Sequence, residues 1–231
     1  MDNSPVITCN ALIFDMDGTM IDNMMVHHRA WQRKLKSLGL ELTIEEVKRD
    51  IHGVNLEIIE RLFGDKYSIE EAKQIAREKE AEYREIYVNE VELLPGLKSF
   101  LDQAKEAGIP MGIGTAAPVE NMDFILDTLE LREFFSMLVH SGQVKKGKPD
   151  PEVFKSVAEG LDIPLEECLI FEDSPTGAKA AANGGAQSLI LTTTHSVEEF
   201  EHINSIQGFL NNFKTCSIQA SENLTDFTLS F

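Results

Sequence analysis

Four short apolar runs are spread through the chain without the alternation of a half-buried strand: ALIF at 11–14, PMGIG at 110–114, CLIF at 168–171 and SLIL at 188–191. SMLVHS at 136–141 is a weaker fifth. Strands need unbroken apolar runs of this length when helices cover both faces of their sheet, which is the situation of a parallel sheet. Between the runs the apolar spacing lengthens to three and four residues, in LKSFLDQAKEAG (97–108), ENMDFILDTLE (120–130), PEVFKSVAEG (151–160) and SPTGAKAAANGG (174–185). These segments predict helices. Each ends at or near a glycine or another stop signal, and three open on a proline or an acidic first turn. The alternation predicts an α/β fold with a doubly wound, Rossmann-like parallel sheet.

The rhythm breaks between residues 23 and 90, where helical patterns occur and no convincing strand does. MMVHHRAWQRKLKSLG sets Met24, His27 or His28, Trp31, Leu35 and Leu38 along one face, and Gly39 closes it. TIEE at 43–46 and SIEE at 68–71 both fit the capping box. The helix after Ser68 is expected to bury Ala72, Ile75, Ala76, Tyr83, Ile86 and Tyr87. A helical domain over 23–90 is therefore predicted to interrupt a sheet domain formed by 1–22 and 91–231. The polar stretch from about 205 onward yields no element.

Composition narrows the function classes. Of 231 residues, 42% are hydrophobic and 26% charged, an ordinary globular balance able to bury a core. Lys and Arg number 21 against 39 Asp and Glu, a formal charge of −18. That charge argues against partnership with nucleic acid or an anionic membrane, both of which need basic patches. A small phosphorylated metabolite stays compatible, because one pocket can be locally positive. Cys9, Cys168 and Cys216 are odd in number and lack CxxC pairing, as expected of reduced thiols without a zinc site. MDNSPVITCN has neither the basic nor the apolar region of a signal peptide. No apolar run approaches the ~20 residues that span a bilayer. The expectation is a cytoplasmic monomer.

Ligands of doubly wound sheets bind beyond the carboxyl ends of the strands. After run 11–14 come Asp15, Asp17, Gly18 and Thr19; after 110–114 comes Thr115; after 168–171 come Glu172, Asp173 and Ser174. KKGKPD adds Lys145, Lys146 and Lys148. Neighbouring strands lie ~4.8 Å apart, so pairing of 11–14 with 168–171 would bring Asp15, Glu172 and Asp173 together. Carboxylates that close do not all stay ionised without a cation. Hard oxygen donors without Cys or His favour Mg²⁺, which usually also binds a substrate phosphate. Thr115 and a lysine would then serve the remaining phosphate oxygens. A carboxylate at the last strand position can attack phosphorus, and the second, past the turn at Gly18, can move the leaving-group proton. Taken singly, each signal has a plainer reading. DxDG fits a turn with an N-cap or a partial calcium loop, EDS an N-cap, and a lysine near proline a solvated surface. Their common place at strand ends joins them.

FDMDGT, Thr115, GKPDP and FEDSPTG resemble, in order, the four motifs of the haloacid dehalogenase superfamily, over residues 11 to about 195. The helical insert, with the Trp31 helix and HG at 52–53, is similar to the β-phosphoglucomutase-like phosphatase branch. The resemblance implies that Asp15 is the nucleophile and that Asp17 is the general acid/base and lends Mg²⁺ its backbone carbonyl. It implies that Thr115 and Lys148 hold the transferring phosphoryl group and that Asp173, with Glu172 directly or through water, completes the Mg²⁺ site. The superfamily's dehalogenases lack the second aspartate and the metal, so Asp17 and Asp173 speak for phosphoryl transfer.

The insert is expected to act as a lid that reads the leaving group. Lys79 lies in the apolar row of its helix and either snorkels or points into a cleft. The β-phosphoglucomutases carry a cap lysine at the matching place and a histidine matching His27, whose plainer reading is packing within the lid. Those mutases hold their second phosphate with an arginine two residues after the valine of HGV and with polar residues after the second motif. Here those positions read Leu56 and AAPV at 116–119. An apolar side chain cannot replace a bidentate guanidinium. A Mg²⁺-dependent phosphohydrolase working through an aspartyl-phosphate is therefore expected. β-Phosphoglucomutase is the alternative, and a phosphoaspartate regulatory or binding protein the third.

Overall fold

The computed structural model describes residues 6–220 and 227–230. The chain divides into two compact units, Met1–Asp22 with Glu92–Phe231, and Asn23–Val91. In chain order the strands are β1 (Val6–Cys9), β2 (Ala11–Phe14), β3 (Met111–Gly114), β4 (Met137–Val139), β5 (Cys168–Glu172), β6 (Gln187–Leu191), β7 (Ile206–Leu210), β8 (Ser217–Ala220) and β9 (Phe227–Ser230). The α-helices are α1 (Met24–Ser37), α2 (Ile44–Asp50), α3 (Asn55–Phe63), α4 (Ile69–Tyr87), α5 (Leu97–Glu106), α6 (Val119–Thr128), α7 (Glu152–Leu161) and α8 (Pro175–Asn183).

In the first unit six strands form a parallel sheet in the order β4-β3-β2-β5-β6-β7. The chain steps outward from β2 through β3 to β4, then crosses back to build β5, β6 and β7 on the other side. That reversal opens a crevice at the carboxyl ends of β2 and β5, the place where such sheets bind ligands. Register supports it directly, since Phe14 lies opposite Phe171 at the ends of the two strands.

β2, β3 and β5 are buried along their whole length, as their continuous apolar sequences require. On one face Phe14 stacks on Phe171 at 4.7 Å, and Phe100 and Phe213 complete an aromatic cluster. On the other, Ile13 and Ile170 meet Val153, Phe154 and Val157 of α7. The glycines of β3 make that approach possible. A Cβ on Gly112 would lie 2.4 Å from Val157 Cγ1, and one on Gly114 would lie 2.9 Å from Phe154 Cδ1.

The five strands and four helices predicted for this unit are present, with ends shifted by a few residues. The stretch from 205, which yielded no prediction, contains three strands. β7 extends the parallel sheet at its edge, where exposed and half-buried positions alternate and leave no apolar run. β8 and β9 pair antiparallel, and β9 also pairs with β1, Val6 opposite Ser230. Pairing between opposite ends of the chain has no local sequence signature.

The second unit is helical among its described residues. Both capping boxes form, Thr43 with Glu46 and Ser68 with Glu71. Trp31, Leu35, Val47, Ile51, Ile58, Ile59, Ala72 and Ile75 make its core, and Leu56 packs against that cluster. The buried faces are turned slightly from the expected ones. α1 buries Val26 and Ala30 while Met24 and Leu38 are half-buried, and α4 buries Lys79 and Glu80 while Ala76 and Ile86 are half-buried. Ion pairs explain the buried lysines: Lys34 lies 2.9 Å from Glu82 and 3.2 Å from Glu78. Among the described residues, no helix is long and apolar enough to cross a membrane.

Candidate active site

The first catalytic candidate sits where the sheet places it. The Asp15 amide donates to the carbonyl of Phe171 at 2.9 Å, continuing the β2–β5 ladder one residue past the strand. Met16 is fully buried, and its carbonyl accepts from the amides of Thr19 and Met20. The chain therefore turns at once, and Asp17, half-exposed, follows in an isolated bridge with Ile21. Gly18 is required twice over. Its φ is +79°, and a Cβ there would lie 2.1 Å from Asp173 Oδ2.

At the end of β5, Glu172 Oε1 accepts from Lys148 Nζ at 2.7 Å. Its Oε2 accepts from the amides of Asp173 and Ser174, both at 2.8 Å, and from the Ser174 hydroxyl at 3.0 Å. Ser174 then caps α8 by accepting from the Gly177 amide, with Pro175 at the first helical position. Gly177 is packed against this carboxylate, since a Cβ there would lie 1.7 Å from Glu172 Oε1. Lys148 also donates to Asp15 Oδ1 at 2.6 Å, and its ammonium lies 4.7 Å from the Phe154 ring centre. Thr115 is buried at the end of β3, where its amide donates to Val139 and its hydroxyl oxygen accepts from the Ala117 amide at 3.1 Å.

Three buried carboxylates, Asp15, Glu172 and Asp173, thus each offer an oxygen within 4.8 Å of the others, and the Lys148 ammonium bonds to two of them, Asp15 and Glu172. Burial pushes the Asp15 carboxyl up to about 7, against the pull of Lys148 and with a further push from Glu172 and Asp17. Asp173 is raised well above the usual range by burial and by Glu172 and Asp15. Burial also works against ionised Glu172, but Lys148 and the backbone N–H donors outweigh it and hold its carboxyl low. The Lys148 ammonium is likewise held charged by Asp15 and Glu172 against desolvation. The remaining negative charge and an all-oxygen donor set fit a hard divalent cation such as Mg²⁺. Among the described residues no donor reaches Asp15 Oδ2 or Asp173 Oδ1, so these oxygens are the ones able to ligate. Glu172 is part of the cluster, but both its oxygens are already occupied by Lys148 and the β5 loop, which favours a supporting position over direct ligation.

The profile of the haloacid dehalogenase-like hydrolase family matches residues 9–185. The chain belongs to that family. Phosphorylated carbohydrates phosphatase of Thermotoga maritima is 32% identical over 193 residues, which are 82% of this chain and 87% of the relative. The crystal structure of a family IA, variant 3 HAD hydrolase from Entamoeba histolytica superposes with a TM-score of 0.81 at 26% identity, covering 88% of this chain and 93% of that one. β-Phosphoglucomutase from Clostridium difficile gives 0.75 at 25% identity, covering 89% and 92%.

In this haloacid dehalogenase-like hydrolase the predicted residues fall into two groups. Asp15, Asp17, Thr115, Lys148, Glu172 and Asp173 lie in the first unit, Glu172 at the last position of β5 and the others on loops that follow β2, β3 and β5 or, for Lys148, precede α7. His27 and Lys79 lie in the helical unit and meet each other. Lys79 Nζ donates to His27 Nδ1 at 2.8 Å and to Glu80 at 2.9 Å, with the Trp31 ring centre 5.6 Å away. Asn55 donates to the same Glu80 oxygen at 2.7 Å, and His27 stacks on Tyr83 with ring centres 4.0 Å apart. Burial opposes ionised Glu80, yet Lys79, His27 and Asn55 prevail and bring its carboxyl down to about 2.

Sequence reasoning missed the loop after β6. Thr193 Oγ1 donates to the Gly18 carbonyl at 2.5 Å, and Thr194 Oγ1 donates to Asp173 Oδ2. The signal was available: TTTH directly follows the SLIL run and stands at a strand end like the other motifs.

Proposed function

We propose that this haloacid dehalogenase-family phosphatase is a Mg²⁺-dependent phosphohydrolase of sugar phosphates that works through an aspartyl-phosphate on Asp15. The observation that carries the reading is the buried trio Asp15, Glu172 and Asp173, two of whose carboxylates, Asp15 and Glu172, share the ammonium of Lys148. Such a cluster is poor at stabilising a fold, since its carboxylates repel, and well built for a phosphate-bound cation. Likeness to a phosphatase of phosphorylated carbohydrates supports the substrate class.

Asp15 would attack phosphorus through one carboxylate oxygen, leaving the other for the cation, while Lys148 and Thr115 hold the phosphoryl oxygens. As the ester P–O bond breaks, Asp17 would pass a proton to the leaving alkoxide. Asp17, now a carboxylate, would take a proton from the attacking water as the Asp15–phosphorus bond breaks and phosphate leaves. Asp15 and Asp173 would hold the cation, which when bound neutralises charge developing on the phosphoryl oxygens. The helical unit would serve as the lid that selects the alcohol part, with His27 and Lys79 as its polar contribution.

A mutase would need a second phosphate site. Leu56, at the position of the mutase arginine, packs against the apolar core of the helical unit and offers no charge. The test is to incubate the purified protein with β-glucose 1-phosphate and a panel of sugar phosphates, with and without EDTA. Free phosphate, loss of activity in EDTA, and a phosphoenzyme trapped on Asp15 are expected. Bisphosphate-dependent formation of glucose 6-phosphate without phosphate release would overturn the hydrolase reading.

A further inference from the structure

We infer that Thr194 is a positioning residue for the metal site, a hydroxyl that fixes Asp173 so that Oδ1 alone is presented to the cation. The inference rests on the reading of Asp173 as a metal ligand and adds to it a part of the fold outside the motif set, the loop after β6.

Thr194 Oγ1 has one proton and three polar neighbours: Asp173 Oδ2, the Asp173 carbonyl at 3.1 Å and His195 Nδ1 at 2.8 Å. The buried carboxylate oxygen is the strongest acceptor of the three, so the proton goes there. The hydroxyl oxygen then accepts, and the donor available is His195 Nδ1–H, which also reaches the Asp173 carbonyl at 3.2 Å. The chain has one consistent direction, from imidazole N–H to hydroxyl to carboxylate. Each bond in such a chain polarises the next. Both the Nδ1–H tautomer and the imidazolium donate from Nδ1, so the order does not depend on the charge of His195.

Close packing at Gly18 leaves the carboxylate little room to turn. Gly18 lies against Asp173 Oδ2 so closely that a Cβ would come within 2.1 Å, and the Thr194 methyl would stand 3.1 Å from that same Cβ. Thr193 anchors the loop on the opposite side through the Gly18 carbonyl. The β6 loop therefore links the turn that carries Asp15 and Asp17 to the strand end that carries Asp173. Partners of this kind typically set metal affinity by 10–100-fold.

The test is calorimetric titration of MgCl₂ into metal-stripped full-length protein, which needs no turnover. Thr194→Val keeps the volume and removes the hydroxyl, and Thr194→Ser keeps the hydroxyl and removes the methyl. We expect Thr194→Val to bind Mg²⁺ about 10–100-fold more weakly and Thr194→Ser to bind within a few-fold of wild type. Thermal midpoints in EDTA check that the variants fold, and Thr194→Ala replaces Thr194→Val if the latter does not. Mg²⁺ affinity unchanged in Thr194→Val, or equally weakened in Thr194→Ser, would overturn the inference while leaving the metal site in place. Wild-type protein that fails to take up Mg²⁺ would overturn the metal reading itself and this inference with it.

Discussion

Asp15→Asn should make the metal-free protein more stable at pH 8 while abolishing turnover. The carboxyl titrates at about 7 in the folded protein against 3.8 in an ordinary setting, because burial beside Glu172 and Asp17 outweighs the attraction of Lys148. A folded-state value raised in this way means that the folded protein holds its proton longer than the unfolded chain. The associated stability is complete below about 3.8 and is lost as pH rises through about 7. The carboxyl then costs about 4 kcal/mol at pH 8, where it is ionised, and about 2 kcal/mol at pH 5, where folding must take up its proton. Asn removes that cost at both pH values. It also alters the bond to Lys148, which keeps Glu172 as partner at 2.7 Å, but that change is common to the two conditions. The difference between conditions isolates the charge: the advantage of Asp15→Asn over wild type should be about 2 kcal/mol larger at pH 8 than at pH 5. Urea unfolding in EDTA, followed by far-UV circular dichroism, measures it, and fluorescence of the single tryptophan, Trp31, reports the helical unit separately. An advantage equal at the two pH values, or larger at pH 5, would refute the burial-and-repulsion account of this site.

Gly18→Ala should fold with difficulty and lose Mg²⁺ uptake, because its positive φ and the contact with Asp173 Oδ2 both oppose a Cβ; metal titration beside a thermal scan reads both. Lys148→Met leaves Asp15 and Glu172 buried without a cation and should cost about 3–5 kcal/mol at pH 8 in EDTA. Adding Glu172→Gln should recover part of that loss in urea titration, and no recovery would show that the carboxylates are not what the ammonium offsets. Glu80→Gln removes a carboxylate partner of buried Lys79 and should destabilise the helical unit by about 3 kcal/mol, read from Trp31 fluorescence in urea. Since Glu80 titrates near 2 when folded against 4.5 ordinarily, its stabilisation is present above about 4.5 and fades as pH falls through about 2, so the gap to wild type should narrow in acid.

Much of the fold was legible because its signals are local. Continuous apolar runs marked β2, β3, β5 and β6, and capping boxes at Thr43 and Ser68 marked helix starts in the insert. β1, β8 and β9 were not legible, because β1 and β9 pair across the length of the chain, β8 joins them only through β9, and their sequences carry no distinctive run. β7 escaped for a related reason, as an edge strand with one wet face. The faces of α1 and α4 were misread where Lys34 and Glu80 are buried, since a charged residue reads as exposed until its partner on another helix is known.

The candidate site divides in the same way. The residue types at the strand ends are written in the chain: Asp15, Asp17, Thr115, Glu172 and Asp173 each follow an apolar run. What each oxygen is free to do follows from how the strands and loops pack together. Lys148 bridges Asp15 and Glu172 across the sheet, both oxygens of Glu172 are occupied, and Asp173 is held by a threonine from the loop after β6. The reason is that residue type and spacing along a chain determine what a side chain can donate or accept. Which partner satisfies it depends on strands that the sheet sets side by side.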